Sequence, residues 1–211
     1  MRTDDHVVAA LERYRLVPIV TLDDPDSYGF LGQGLKDGGL PLVEITLRTP
    51  AALAAIRTLA QDATLLVGAG TVVTSDQVDL VAAAGASFIV SPGFDVDVVD
   101  RALERELLPI PGIATATELQ AGLRSGLDIF KFFPAEALGG AAALRALAAP
   151  FPDVRFLPTG GIDQRSLRSY LNLSCVIAVG GSWPVSMELA RSQERDRFVR
   201  QIAEAARAAH G

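Results

Sequence analysis

Apolar runs of about four to eight residues, rich in Val, Ile, Leu and Phe, recur roughly every 20 to 25 residues, with helix-like segments between them. This alternation predicts strands near 17–22, 42–47, 64–71, 88–92, 107–113, 129–134, 154–159 and 176–180. Helices are predicted near 26–37, 50–61, 75–84, 96–105, 116–125, 139–148, 164–171 and 187–208, with an extra helix at 3–13 across the bottom. Ser75 and Thr117 stand where helix N-caps belong, and Gly38, Gly85 and Gly126 where helices should end. Eight βα units are what a (β/α)8 TIM barrel requires, so the expected fold class is α/β, a TIM barrel with an added N-terminal helix. A doubly wound open sheet stays open as an alternative, because ring closure leaves no trace in periodicity. No linker or charge block breaks the chain, so one domain is expected over 1–211.

Composition narrows the function classes. The 211 residues are 49% apolar with a net charge of -6, which disfavours nucleic acid and anionic membranes as partners. Cys175 is the single cysteine, so neither a disulfide nor a cysteine metal cluster can be written. The N-terminal residues carry no long apolar region and no unbroken apolar span of membrane length appears, so a cytoplasmic protein is expected.

In a barrel the chemistry sits at the C-terminal strand ends, so polar residues interrupting strands there matter most. The chain has two lysines against 17 arginines, and Lys131 lies inside the apolar strand Ile129-Phe130-Lys131-Phe132-Phe133-Pro134. Burial lowers an amine pKa and makes lysine a nucleophile able to form a Schiff base with a ketone. The bland alternative is a lysine whose head snorkels out to solvent. Period-2 alternation puts Glu44, Thr46 and Arg48 on one strand face. The carboxylate suits proton transfer and the arginine a bidentate grip on an anion, although an internal Glu44–Arg48 salt bridge would use the same residues without chemistry. Gly160-Gly161 and Gly180-Gly181-Ser182 follow strands seven and eight, where barrels bind phosphate through backbone N–H groups; singly, each is an ordinary turn. Gly68-Ala69-Gly70-Thr71 lacks the third glycine of a dinucleotide site and reads as a tight strand end presenting Thr71. His6 and His210 sit at the termini, Cys175 reads as a small hydrophobe, and Trp183 either walls the site or packs.

Together these segments, with Ser91-Pro92-Gly93, Pro111-Gly112-Ile113 and Ala135-Glu136, closely resemble the 2-keto-3-deoxy-6-phosphogluconate (KDPG) and 4-hydroxy-2-oxoglutarate aldolase family over nearly the whole chain. The resemblance implies a metal-free, cofactor-independent class I aldolase with a phosphorylated keto-acid substrate and a homotrimeric barrel. It assigns Lys131 as the Schiff-base lysine and Glu44 as the general acid/base. Arg48 and Thr71 would hold the substrate carboxylate, Pro92, Phe133 and Thr159 would line the pocket, and Gly160, Gly161, Gly180, Gly181 and Ser182 would hold the phosphate. Arg48 points to the gluconate rather than the galactonate branch. One departure is the acidic end of the first strand, Thr21-Leu22-Asp23-Asp24, where a more apolar or basic segment is the expectation. Two rivals remain at this stage: a phosphosugar isomerase or epimerase with Glu44 as base, and a catalytically silent phosphate-binding barrel.

Overall fold

The computed structural model describes residues 3–211. Helix α1 (Thr3–Tyr14) precedes β1 (Leu16–Val20), α2 (Ser27–Asp37), β2 (Leu42–Thr46), α3 (Ala52–Leu59) and β3 (Leu66–Gly70). There follow α4 (Ser75–Ala83), β4 (Phe88–Val90), α5 (Val96–Glu104), β5 (Leu108–Ile110), β6 (Gly112–Ile113), α6 (Ala116–Arg124) and β7 (Ile129–Phe132). The chain ends with α7 (Gly140–Ala148), β8 (Arg155–Pro158), α8 (Leu167–Leu171), β9 (Val179–Gly181), α9 (Met187–Arg191) and α10 (Arg195–His210).

Every strand pairing is parallel, as βα crossovers demand. The strands form a six-stranded sheet, β5-β4-β3-β2-β1-β9, and a three-stranded sheet, β6-β7-β8, instead of one unbroken eight-stranded ladder. Two isolated parallel bridges, Phe156–Val176 and Thr159–Gly180, run from the β8 segment toward β9. At the other seam, Pro111 splits the expected strand 107–113 into β5 and β6, since proline brings no N–H to a ladder. Its carbonyl still accepts from the Lys131 N–H at 2.9 Å.

Other boundaries shift for local reasons. The caps fall upstream of the expected residues: Thr74 accepts from the Gln77 N–H, and Thr115 forms a capping box with Glu118. A hydroxyl with extended backbone must come before the first helical turn, which excludes Ser75 and Thr117, both already inside it. Gly85 (φ +93°) and Gly126 (φ +79°) end α4 and α6 in the left-handed region, whereas Gly38 stays right-handed and Gly39 makes the turn at φ +76°. The single helix expected over 187–208 is two, α9 and α10, broken at Gln193 with φ +54°.

Helix α1 buries Val7 and Leu11 and lies along the segments that lead into β2, β3, β5 and β7. It thus covers the N-terminal ends of the strands and leaves the C-terminal ends to the loops. Phe130 and Phe132 point outward and are buried, Phe130 against Gly122 of α6. Burying a large apolar side chain contributes roughly 1.5–3 kcal/mol, so these rings anchor β7 and turn Lys131 between them to the interior.

Candidate functional site

Parallel register puts directly paired residues on one face of the sheet. Glu44 pairs with Ile19 and Gly68, and Thr46 with Gly70, so these side chains share the interior face. Inward glycines supply the room. A β-carbon on Gly70 would collide with the Glu44 carboxylate, and one on Gly180 would lie 3.1 Å from Ile19 and collide with the Thr159 hydroxyl.

Glu44 (1% exposed) and Lys131 (6%) are the buried ionisable residues of this interior. Burial raises the Glu44 pKa, with Lys131 and then Arg48 pulling it back down. Burial likewise lowers the Lys131 pKa; Glu44 opposes the shift and Arg48 adds to it. Each group is therefore pushed toward its neutral form. The Lys131 Nζ lies 4.6 Å from the centre of the Phe133 ring, whose face favours the ammonium and partly offsets desolvation. Glu44 Oε2 is buried with no hydrogen-bond partner, so the internal salt bridge with Arg48 is not formed. A buried carboxylate oxygen left unmatched is costly and is available to a substrate hydroxyl.

Arg48 stands beyond the end of β2 in an exposed turn, where it reaches the site as a charge at the mouth. Thr71 follows β3 directly and holds φ +62°, a left-handed conformation that a β-branched residue adopts only at a cost. Pro92 is exposed, and its backbone fills the space in front of Gly112, the residue paired with Lys131. Phe133 packs against Gly160, 3.1 Å from where a β-carbon there would sit. Thr159 is 6% exposed and bridges to Gly180. Gly160 and Gly161 take φ of +103° and +78°, and among the described residues their N–H groups donate to no backbone carbonyl. Ser182 is exposed just past β9.

Gly181 differs from the rest. Its Cα faces outward, where the Trp183 ring covers it, so Trp183 packs on the outer face and does not line the interior. Two features escape sequence reasoning. Tyr170 donates to Glu136 Oε1 at 2.6 Å, with its own pKa raised by burial and then by that bond, and Glu136 underlies Gly161. Thr21 Oγ1 lies 2.8 Å from Thr46 Oγ1. Inward alternation along β1 could have flagged Thr21; nothing local signals the Tyr170–Glu136 contact, which joins positions 34 apart.

No group of three or more His, Cys, Asp or Glu residues suited to a metal ion occurs among the described residues. No helix among them is long and apolar enough to cross a membrane.

Residues 7–201 match the family described as KDPG and KHG aldolase. The chain is 47% identical to the 2-dehydro-3-deoxy-phosphogluconate aldolase of Treponema pallidum (strain Nichols), over 85% of this chain and 86% of that protein. It is 42% identical to the KHG/KDPG aldolase of Escherichia coli (strain K12), over 90% of each. A crystal structure of KDPG aldolase from Legionella pneumophila, with pyruvate captured at low pH as a covalent carbinolamine, superposes with a TM-score of 0.89 at 37% identity, covering 93% of this chain and 96% of that one.

Proposed function

The chain belongs to the KDPG and KHG aldolase family, and from that premise we propose how its own residues carry the reaction. It is an aldolase, a lyase that cleaves 2-dehydro-3-deoxy-6-phosphogluconate to pyruvate and D-glyceraldehyde 3-phosphate. The observation that carries the mechanism is the paired burial of Lys131 on β7 and Glu44 on β2 inside one strand interior, each group pushed toward its neutral form.

The neutral Lys131 amine attacks the C2 ketone, and the protonated Glu44 gives its proton to the carbinolamine hydroxyl, which leaves as water, so that Lys131 becomes a protonated imine and Glu44 a carboxylate. Glu44, as carboxylate, accepts the C4 hydroxyl proton while the C3–C4 bonding pair moves into the imine to form an enamine. The aldehyde leaves, Glu44 returns its proton to C3, and water hydrolyses the protonated imine to pyruvate and free amine, the released proton going back to Glu44. Arg48 and Thr71 hold the carboxylate end, with Pro92, Phe133 and Thr159 walling the chain. Phosphate sits on Gly160, Gly161, Gly180, Gly181 and Ser182, where the free N–H groups of Gly160 and Gly161 support the assignment. The same Lys131 and Glu44 would act on 4-hydroxy-2-oxoglutarate, which offers the same C2 ketone and C4 hydroxyl and carries a carboxylate on C4 that stops short of the phosphate loops.

The architecture that best fits the parallel strands and their two connecting bridges is one closed (β/α)8 barrel domain over 1–211. A homotrimer would cover Val73, Leu80, Val96 and Leu103, which lie exposed on and beside α4 and α5. A coupled assay of pyruvate release tests the chemistry: wild type should cleave KDPG, and Lys131→Arg should fold and release none, since a guanidinium stays protonated.

A further inference from the structure

Strand β1 lies between β9, which carries one half of the proposed phosphate site, and β2, which carries Glu44. Its register pairs Ile19 with Glu44 and Val20 with Ile45, so Thr21 comes next, opposite Thr46 on the interior face. The two hydroxyls meet at 2.8 Å. Thr46 is fully buried, while Thr21 is exposed at the C-terminal mouth of the strands.

A substrate joined to Lys131 through C2, handing its C4 hydroxyl to Glu44 and its C6 phosphate to the loops after β8 and β9, must lay C5 across β1. The residue presented there is Thr21. A threonine hydroxyl has one proton and two lone pairs, and the contact with Thr46 uses only one of these three capacities. We infer that Thr21, held by Thr46, is a specificity residue that hydrogen-bonds the C5 hydroxyl of the substrate. This rests on the aldolase reading above. It also gives a use to the polar end of β1.

The test compares kcat/KM for KDPG and for its 5-deoxy analogue, which keeps the ketone, C4 hydroxyl and phosphate. Wild type should prefer the hydroxylated substrate by about tenfold, the worth of one well-placed neutral hydrogen bond. Thr21→Val preserves shape and β-branching but removes the hydroxyl, so the preference should fall to near one; Thr21→Ser should retain it. A wild-type ratio near one, an unchanged ratio in Thr21→Val, or equal losses on both substrates would overturn the inference while leaving the aldolase reading intact. Failure of the wild type to release pyruvate from either compound would remove that reading and this one with it.

Discussion

The Glu44 carboxylate occupies the space that a side chain at position 70 would need. Gly70 is paired with Thr46 on the adjacent strand, so its bare α-carbon lets the acid/base group lie flat across β3 toward the interior. Gly70→Ala should therefore displace Glu44 without removing it. Turnover should drop by about a hundredfold, the scale of a misplaced general acid/base, while pyruvate still forms an adduct on Lys131. Unchanged kcat in that variant would break the link between Gly70 and the chemistry.

Burial raises the Glu44 pKa above its usual 4.5, which makes a stability prediction with a definite sign. A carboxyl with a raised folded pKa binds its proton more tightly folded than unfolded, so stability falls as pH climbs through the window above 4.5 and the penalty is complete beyond the raised value. Glu44→Gln carries no such penalty. Its Tm should match wild type near pH 4.5 and exceed it at pH 8, where the buried wild-type carboxyl has had to give up its proton. Cleavage in the same variant should fall by about two to four powers of ten. Thermal melts across pH check the first part; a Tm difference that shrinks as pH rises would contradict it.

Gly161 combines φ +78° with a position where a β-carbon would come 2.8 Å from Glu136. Gly161→Val should disturb the loop under the proposed phosphate site and raise KM for KDPG by about a hundredfold, with far less effect on 4-hydroxy-2-oxoglutarate, which has no phosphate. Equal losses on the two substrates would remove the phosphate from this loop.

Arg48 carries its charge at the mouth of the site, acting on both Glu44 and Lys131. If its fork grips the pyruvate carboxylate, Arg48→Lys should weaken pyruvate binding about tenfold although the charge survives. Titration calorimetry of pyruvate binding reads this directly, and wild-type affinity would refute the bidentate role.

What the sequence made legible was set by periodicity and rarity. A lysine in a strand of phenylalanines, and a glutamate on the polar face of an otherwise apolar strand, announce themselves because burying either group is costly. The βα alternation placed α1 and the strands to within a few residues. What stayed hidden depends on contacts distant in sequence or on single backbone angles. Pro111 interrupts a strand that reads as continuous, and Gln193 breaks a helix whose pattern reads through it. Gly181 shares a motif with Gly180 yet faces the opposite side, because alternation turns neighbours apart and Trp183 returns to cover it. The Thr21–Thr46 contact needs the β1–β2 register, which no local pattern supplies.

Every other role assigned here depends on imine formation at Lys131, and borohydride trapping reads that step on the protein itself. The other lysine, Lys36, is held in an ion pair with Asp62 on the outer helical layer, which leaves its amine engaged away from the strand interior. Incubation of the protein with pyruvate and borohydride, followed by digestion and mass spectrometry, should place one reduced pyruvyl group on the peptide containing Lys131. In Lys131→Ala both the adduct and KDPG cleavage should vanish. An adduct mapped to Lys36, or full aldolase activity in purified Lys131→Ala, would mean that Lys131 is not the imine-forming residue.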